Sequence, residues 1–396
     1  MKIAFLTAGG IAPCLSASIG SLIHKYNDLH PDAELIGYLN GYRGLLLGES
    51  ISFPDSVKKD FSVLYDYGGS PIGNSRVKLT NVEDCLKKGY VKEGTDPLEV
   101  AANQLTKDNI NILHTIGGDD TNTMAAQLSF YLEKNGYELT VVGLPKTVDN
   151  DVFPVSQTLG AWTAAEQGAI FFENIVNENT TSTRQLIIHE VMGRHCGWLT
   201  AKTAKDYRER LNRKVFLPDL MVEKSKWDID AIYIPEQDFN FQNEVDRLRS
   251  LMDEKDNINI FLSEGAGQDA IVREMEEKGE EVPRDAFGHV RLDEINPGQW
   301  FAKQFSSALK AEKTLVQKSG YFARSAKANT QDLELIKRSA FFAAEQGLNG
   351  KSGLAGLDED DDGQLRLIEF KRIKGGKPFD LSLDWFQTMI KDIGQQ

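Results

Sequence analysis

Two apolar runs, each followed at once by a polar turn, constrain the fold of this chain more than any other feature. Residues 110–116 precede the turn 117–121 (GGDDT), and residues 139–144 precede the turn 145–151 (PKTVDND). Short apolar runs bounded by turn residues are typical of buried strands. Because ligands of open α/β sheets bind at the carboxyl ends of the strands, we expect both turns to lie at a ligand site.

The residue types in these turns indicate which ligand they would bind. Glycines let backbone N–H groups approach a phosphate, carboxylates hold Mg²⁺ through oxygen, and a lysine offsets the charge of a transferred phosphoryl group. A third turn, within residues 7–16, joins a predicted strand to a predicted helix, and its glycines favour anion binding. It matches neither a dinucleotide fingerprint nor a Walker A loop, so phosphate binding and a plain tight turn both remain open for it. Together the three turns have what a phosphotransferase site needs.

The remainder of the chain repeats the alternation of strand and helix. Amphipathic stretches separate short apolar runs, a pattern that favours parallel sheets covered by helices on both faces, the α/β class. We expect one domain of residues 1–155 with about 325–396, and a second of residues 156–324. The tail should return to the first domain, because residues 332–346 form a predicted helix with nothing else to cover. The apolar runs are residues 2–7, 34–39, 110–116, 139–144, 185–191, 231–234 and 258–262.

Composition limits the partners of this protein. The net charge of −14 over 396 residues argues against nucleic acid or an anionic membrane as a general partner. No apolar stretch reaches the roughly 18 residues of a membrane-spanning helix, and the first residues form a predicted strand instead of a secretory signal. Three widely separated cysteines suit reduced thiols. We therefore expect a cytoplasmic protein whose partners are small molecules, with neither nucleic acid nor membrane among them.

Seven segments, taken in order, resemble the phosphofructokinase family across nearly the whole chain. The resemblance implies phosphorylation of fructose 6-phosphate at its 1-hydroxyl with Mg²⁺ as cofactor. It also implies two Rossmann-like three-layer α/β domains with the active site in the cleft between them, and a homodimer or homotetramer. The segments are residues 9–10, 41–45, 68–76, 117–121, 145–151, 192–197 and 263–265.

Two positions in these motifs resemble the pyrophosphate-dependent branch of the family. ATP-dependent members usually carry glycines where this chain has Asp120 and Lys146. A carboxylate at 120 would fill space that a nucleotide needs and repel its phosphates. Two like charges about 4 Å apart cost about 4 kcal/mol at an effective dielectric near 20. Lys146 would bind the transferred group, so the pair disfavours ATP and favours pyrophosphate.

Two other functions remain as alternatives. The first is an ATP-dependent phosphofructokinase, which Asp120 and Lys146 oppose. The second is a non-catalytic regulatory paralogue that binds a sugar phosphate, which we would expect to lack Asp119 or Asp149. This chain carries both aspartates.

The resemblance also implies roles for individual residues. Asp149 would be the general base for the sugar 1-hydroxyl, Asp119 would bind Mg²⁺, and Asp151 would assist the metal or orient the base. Taken alone, residues 149–151 are typical of an ordinary turn. Lys146 and Asp120 complete the catalytic set. The donor-binding residues would be Gly9, Gly10, Arg76 and Gly118.

The acceptor-binding residues follow from the same resemblance. Arg194 can hold a phosphate through two hydrogen bonds, and Glu264 can accept hydrogen bonds from sugar hydroxyls. ATP-dependent relatives often donate an arginine across a subunit interface from the position of Gln185, which leaves open how a neighbouring subunit would complete this site. The acceptor set comprises Thr147, Asp149, Met192, Gly193, Arg194, Glu264, Tyr321 and Arg324.

One further segment matches a known template outside the family pattern. Residues 358–369 fit the calcium loop of an EF-hand at several positions. An EF-hand needs a helix on each side, yet residues 347–356 are rich in glycine and the pair 375–376 would end an exiting helix. An acidic hairpin turn between strands 353–357 and 365–370 is the preferred interpretation, with calcium binding as the open alternative.

Overall fold

The chain forms two compact units, seen in a computed structural model that describes residues 1–284 and 290–395. Unit 1 comprises residues 1–163 and 324–377, and unit 2 comprises residues 164–323 and 378–396. Each unit is built on one β-sheet with helices packed against it, so the predicted α/β class is confirmed. In the described residues, no helix has both the length and the apolar character that crossing a membrane requires.

The elements of the described residues are as follows. The strands are β1 (Lys2–Thr7), β2 (Glu34–Tyr38), β3 (Ser50–Ser52), β4 (Ile112–Gly117), β5 (Thr140–Pro145), β6 (Gln185–Val191), β7 (Ala231–Tyr233), β8 (Asn257–Ser263), β9 (Lys313–Lys318), β10 (Gly353–Asp358) and β11 (Gln364–Ile368). The helices are α1 (Leu15–Leu29), α2 (Tyr42–Leu47), α3 (Asp55–Lys59), α4 (Val82–Lys87), α5 (Pro97–Lys107), α6 (Asp119–Lys134), α7 (Ala161–Ile175), α8 (Trp198–Leu211), α9 (Lys224–Trp227), α10 (Phe241–Lys255), α11 (Gln268–Glu277), α12 (Leu292–Ile295), α13 (Pro297–Leu309), α14 (Gly320–Arg324), α15 (Thr330–Leu348) and α16 (Asp384–Asp392).

The sheet of unit 1 has the strand order β11-β10-β5-β4-β1-β2-β3. Its five central strands are parallel, and the antiparallel strands β11 and β3 form the two edges. Strands β1, β4 and β5 are almost entirely buried because helices cover both faces, which explains their continuous apolar sequences. The order of connection reverses between β1 and β4, and open α/β sheets bind ligands beyond such a switch point.

Helix α15 shows why the chain returns to unit 1. It packs on α1 and β5, where its buried face includes Leu335, Ile336 and Ala340. Near its start the fully buried carboxylate of Asp332 accepts hydrogen bonds from the Gly160 backbone N–H at 3.1 Å and from the Thr163 N–H and hydroxyl at 2.6 Å each. The helix therefore also holds the chain segment that leads into α7.

Unit 2 contains a parallel sheet of order β7-β8-β6-β9. Helices α10 and α13 cover one face around an apolar cluster that includes Ile260, Phe301 and Phe305. On the other face Phe172 of α7 packs against the rings of His189 and Phe261. The connections that follow the adjacent strands β6 and β8 run to opposite sides of the sheet, to β7 and to β9, which makes the carboxyl ends of β6 and β8 the expected ligand-binding edge.

All seven strands expected from the sequence are present, each within two residues of its predicted ends. Strands β3 and β9 were missed. Both lie at or near the edge of a sheet, and β9 begins and ends with lysine and is only partly buried, so it has no apolar run to detect.

The tail divides between the two units. We predicted a donor-binding domain of residues 1–155 with about 325–396 and a sugar-phosphate-binding domain of residues 156–324. What each domain binds stays a prediction. By their contacts, residues 378–396 lie in unit 2. The Phe379 N–H donates to Glu236 at 2.8 Å, and the Gln395 side-chain amide pairs with the Ile232 backbone at 2.9 and 3.0 Å, extending the edge of the sheet at β7.

The acidic segment 358–369 is the hairpin that its flanking sequence predicted. Strands β10 and β11 pair antiparallel, and arginines bind the carboxylates of the turn between them. Arg372 makes two hydrogen bonds of 2.7 Å to Asp358 and one of 2.6 Å to Asp360, which lowers the pKa of the Asp358 carboxyl. Arg366 pairs with Asp361 at 2.8 Å. These carboxylates are already neutralised by protein cations.

The Asp332 contacts lead to a stability prediction. Asp332→Ala should lower the free energy of unfolding by about 2–4 kcal/mol, because it leaves buried hydrogen-bond donors without their acceptor. Urea denaturation at neutral pH measures the change. Glu334→Ala, an exposed change on the same helix, is the matched control and should stay within about 0.5 kcal/mol of the parent protein. Equal stability of the two variants would contradict this prediction.

Candidate active site

The turn after β1 is built around two glycines and is fastened to a neighbouring loop. Gly9 has a φ of +89°, which favours glycine at this position. Its N–H donates to the Ser75 carbonyl at 2.9 Å, and its own carbonyl accepts from the Asn74 side chain at 2.5 Å. The Thr7 hydroxyl donates to the Gly73 carbonyl at 2.7 Å. These bonds bring the loop that carries Arg76 alongside the turn.

Three cationic side chains surround this glycine turn. Lys146, at the end of β5, is buried, and its Nζ donates to the Gly10 carbonyl at 2.7 Å. A Cβ placed on Gly9 would lie 3.0 Å from Lys146 Nζ. A Cβ placed on Gly10 would lie 3.6 Å from Arg324 Nη1 and 3.7 Å from Arg76 Nη2. The absence of side chains at Gly9 and Gly10 thus leaves a space bordered by three positive charges, suited to a polyanion.

The pKa of Lys146 reflects the electrostatics of this cationic cluster. Burial lowers the pKa of its ammonium group to about 8. This value includes the nearby charges of Arg76 and Arg324, which lower the pKa, and that of the Asp149 carboxylate, which raises it. A bound anion would favour the protonated form, so anion binding and protonation of Lys146 are coupled.

The turn between β4 and α6 carries the first pair of carboxylates. Buried Asn122 fixes this turn, because its side-chain N–H₂ donates to the carbonyls of Gly117 at 3.0 Å and Gly118 at 2.9 Å. Asp119 and Asp120 then open the helix, where the positive end of the helix dipole favours negative charge. Sequence reasoning missed Asn122, since it reads as one more polar residue in an amphipathic helix.

The two carboxylates have different surroundings. Asp119 is partly buried, and its carboxylate contacts Gly375. Asp120 is exposed and forms an ion pair with Lys78 at 2.5 Å. Lys78 was not predicted as a site residue. Its charge partly neutralises Asp120, so the repulsion of nucleotide phosphates that we ascribed to Asp120 is weaker than the sequence alone suggested.

The turn after β5 carries the second pair of carboxylates, and hydrogen bonds of Asn150 fix its conformation. Asn150 adopts a φ of +56°, and its buried side-chain oxygen accepts hydrogen bonds from the Thr158 N–H at 2.8 Å and hydroxyl at 3.2 Å. The Asp149 N–H donates to the Thr147 hydroxyl at 3.2 Å. Asp149 and Asp151, on either side of Asn150, are both partly buried.

The fit of a metal ion can be judged from these carboxylates. Among the described residues, no three His, Cys, Asp or Glu side chains are grouped closely enough to hold a metal. Mg²⁺ commonly binds through one or two carboxylates together with substrate phosphates and water, without a full cage of protein ligands. Asp119 lies on a turn of unit 1, and the sheet of this unit also carries the cationic cluster. Asp119 therefore fits a mode in which one carboxylate and the substrate phosphates bind the ion together.

In unit 2, the predicted acceptor residues lie at the carboxyl ends of adjacent parallel strands. Met192, Gly193 and Arg194 follow β6, and Glu264 follows β8. The Ser263 hydroxyl donates to the Gly193 carbonyl at 2.5 Å, and the Glu264 N–H donates to the Val191 carbonyl at 2.8 Å. These bonds tie the two turns together.

Two further features border these turns. Gly320 lies after β9, where an added Cβ would be 3.3 Å from Met192 Cγ, and the next residue, Tyr321, is exposed. Arg194 lines a cavity of about 410 Å³ whose other walls include Phe239, Trp300 and Arg273. This volume falls in the range of small-molecule sites, roughly 300–1,000 Å³.

The site residues predicted from the sequence therefore fall into two sets. Unit 1 brings Gly9, Gly10, Arg76 and Lys146 together, and Arg324, which we predicted with the acceptor set, joins them beside Gly10. Unit 2 brings together Met192, Gly193, Arg194 and Glu264. The roles of all these residues stay predictions.

The position that the family resemblance associated with a subunit interface is Gln185. Gln185 is fully buried at the start of β6. The neighbouring Arg184 donates to the carbonyls of Lys310 at 2.9 Å and Leu309 at 2.6 Å, and pairs with Asp253 at 2.7 Å. Arg184 is therefore engaged within its own unit.

The fold and these strand-end turns define an α/β protein of the kind that binds phosphorylated ligands. The profile of the phosphofructokinase family matches residues 2–346, and the chain belongs to this family.

Named relatives match over essentially the whole chain. The pyrophosphate–fructose 6-phosphate 1-phosphotransferase of Methylomonas methanica is 58% identical over 394 residues, covering 100% of this chain and 96% of the relative. The protein of the same name from Propionibacterium freudenreichii subsp. shermanii is 54% identical, covering 100% and 98%. A solved structure of pyrophosphate-dependent phosphofructokinase from Marinobacter aquaeolei, 20% identical, matches with a TM-score of 0.71 over 98% of this chain and 91% of that chain, which shows the shared fold.

The lowered pKa of Lys146 predicts how pyrophosphate binding depends on pH. Below pH about 8 the ammonium is charged, and above it the free protein loses this charge. The dissociation constant for pyrophosphate should therefore rise by up to about tenfold per pH unit above that value. Calorimetric titrations between pH 7 and 9.5 give the curve.

Lys146→Met supplies the control for this titration. It should bind pyrophosphate more weakly at pH 7 and lack the pH-dependent step that the parent protein shows. If the parent and the variant were to weaken in parallel as the pH rises, Lys146 would not be the titrating group.

Proposed function

We propose that this protein transfers a phosphoryl group from pyrophosphate to the 1-hydroxyl of fructose 6-phosphate, giving fructose 1,6-bisphosphate and phosphate. The observation that carries the proposal is the cationic cluster of Lys146, Arg76 and Arg324 around the Gly9–Gly10 turn. The names of the relatives that match over the full chain support the same donor and acceptor. Because donor and product both hold reactive phosphates of similar free energy, we expect the reaction to run in both directions.

The donor phosphates would lie over the glycine turn. Lys146 is held in place by the Gly10 carbonyl, and Arg76 is carried by a loop hydrogen-bonded to Gly9. Positive groups fixed before the substrate arrives stabilise the charge of the transfer without reorganising. We assign donor binding to these residues, to Arg324 and to the backbone of Gly118.

The preference for pyrophosphate would rest more on Lys146 than on Asp120. Lys146 fills buried space beside the turn and offers its charge there, which a donor without a nucleoside can use fully. Asp120 shares its charge with Lys78, so its contribution is mainly the space that its side chain occupies. Both features oppose a nucleotide and neither opposes pyrophosphate.

Asp119 would hold Mg²⁺ together with the donor phosphates. When bound, the ion neutralises charge on the phosphoryl group and on the leaving phosphate. The helix N-terminus beneath Asp119 and the hydrogen bonds of Asn122 hold the carboxylate in position from the protein side.

Asp149 would accept the proton of the sugar 1-hydroxyl. Its turn is fixed by the hydrogen bonds between Asn150 and Thr158, so the carboxylate need not be ordered at the moment of reaction. Asp151 would orient the base or assist the metal. Direct transfer needs no covalent intermediate on the protein, so positioning and charge supply the catalysis.

The acceptor would be held by the turns of unit 2. Arg194 offers paired donors to a phosphate, and Glu264 offers acceptors to sugar hydroxyls. Met192 and Gly193 would contact the sugar through the turn after β6, with Thr147 and Tyr321 completing the set. We further expect a cytoplasmic homodimer or homotetramer.

A donor panel tests the proposed function. With fructose 6-phosphate and Mg²⁺, the protein should form fructose 1,6-bisphosphate from pyrophosphate and little or none from ATP, and chelation of Mg²⁺ should abolish the reaction. Asp149→Ala should lower kcat by about 10²–10⁴-fold, the usual contribution of a general base.

Asp206→Ala is a suitable control for the loss of one carboxylate, because Asp206 pairs with Lys202 on α8. It should keep the activity of the parent protein. Activity with ATP alone would overturn the donor assignment, and full activity of Asp149→Ala would overturn the assignment of the base.

A further inference from the structure

A short segment near the end of unit 1 contacts both carboxylate-bearing turns of that unit. Residues 374–377 (KGGK), here called the 374–377 brace, contain a glycine pair that sequence analysis interpreted only as the end of a helix. Lys374 and Phe153 exchange two backbone hydrogen bonds of 2.8 and 3.1 Å. The Lys377 N–H donates to the Asp151 carbonyl at 3.0 Å, and Lys377 Nζ donates to the Val155 carbonyl at 2.8 Å. The brace is thus fastened along the chain that leaves the 149–151 turn.

Gly375 places the brace directly against Asp119. A Cβ on Gly375 would overlap Asp119 Oδ2 and lie 2.6 Å from Asp119 Cγ. The φ of Gly375 is not positive, so its backbone conformation does not call for glycine. Its neighbour Gly376 is the opposite case, with a φ of +72° and nothing within 4 Å of an added Cβ. Gly375 is therefore required by the space that the carboxylate occupies.

We propose that Gly375 is a positioning residue for the donor site, and that it acts by setting where the Asp119 carboxylate can lie relative to the 149–151 turn. The inference rests on the proposed function, since it takes Asp119 as the residue that holds Mg²⁺ with the donor. The brace is bonded to Asp151 at one end and borders Asp119 in its middle, so it links the metal-binding carboxylate to the turn of the base. The atoms that a side chain at 375 would meet belong to the Asp119 carboxylate. Because the hydrogen bonds of the brace hold the backbone of Gly375 in place, it is the carboxylate that must move.

The experiment compares Gly375→Ala with Gly376→Ala. Binding of imidodiphosphate, a pyrophosphate analogue that is not transferred, is measured by calorimetry with and without Mg²⁺, together with the melting temperature. Gly375→Ala should weaken Mg²⁺-dependent binding by about a hundredfold, the order of loss expected from misplacing a binding group by about 1 Å. Gly376→Ala, whose added methyl group meets nothing, should lower Tm by a few degrees through backbone strain and weaken Mg²⁺-dependent binding no more than a few-fold, far less than Gly375→Ala.

A double-mutant cycle separates action through Asp119 from a general disturbance. In an Asp119→Asn background, Gly375→Ala should cause no further loss of Mg²⁺-dependent binding, because the carboxylate that it displaces is already gone. A loss as large as in the parent protein would overturn the inference, since Gly375 would then act elsewhere.

Other outcomes are equally decisive. Lys377→Met loosens the brace without adding atoms at 375 and should weaken Mg²⁺-dependent binding several-fold, which keeps the inference open to test if Gly375→Ala fails to fold. Unchanged binding by a folded Gly375→Ala would overturn the inference and leave the proposed function intact. Failure of the parent protein to bind imidodiphosphate with Mg²⁺ would overturn the proposed function, and the inference with it.

Discussion

The site in unit 1 depends on a lysine ammonium held inside the protein. Burying a cation is costly unless nearby groups compensate; Lys146 donates to the Gly10 carbonyl and feels the charge of Asp149, while Arg76 and Arg324 oppose its charge. Burial accordingly lowers the pKa of the Lys146 ammonium group to about 8. A polyanion bound beside Lys146 would favour the charged form of its ammonium group. The acidic charge of the molecule as a whole, −14, is compatible with this because the cations are concentrated at one turn.

The sheet topology explains why the predicted site residues come from distant parts of the sequence. In unit 1 the chain adds β2 on one side of β1 and later adds β4 and β5 on the other side. Because β1, β4 and β5 are parallel, the turns that follow them all lie at one edge of the sheet. In unit 2 the connections diverge after the adjacent strands β6 and β8, and the turns with Arg194 and Glu264 follow these two strands at the corresponding edge of that sheet. Both units thus place glycines where the backbone turns at the end of a strand, with charged residues immediately after them.

The sequence was sufficient for the parts of the protein that depend on local pattern. Buried parallel strands such as β4 and β5 are continuous apolar runs, so they were predicted to within two residues, whereas the edge strand β9 has lysines at both ends and gave no such signal. Asn122, Lys78 and Gly375 were missed for a different reason. Their importance lies in contacts with Gly118, Asp120 and Asp119, and a contact between distant residues leaves no periodic trace in the chain.

Glycine shows most clearly what the sequence alone cannot distinguish. Gly9 and Gly376 have positive φ, so the backbone itself selects glycine there, and a turn pattern is enough to anticipate it. Gly375 has no such requirement, and glycine fits only because a carboxylate from another turn occupies the volume of its side chain. Two adjacent glycines are therefore required for unrelated reasons: Gly376 permits a bend, and Gly375 leaves room for the Asp119 carboxylate. A single methyl group at 375 would therefore have to move the Asp119 carboxylate, although nothing in the local sequence around Gly375 indicates that contact.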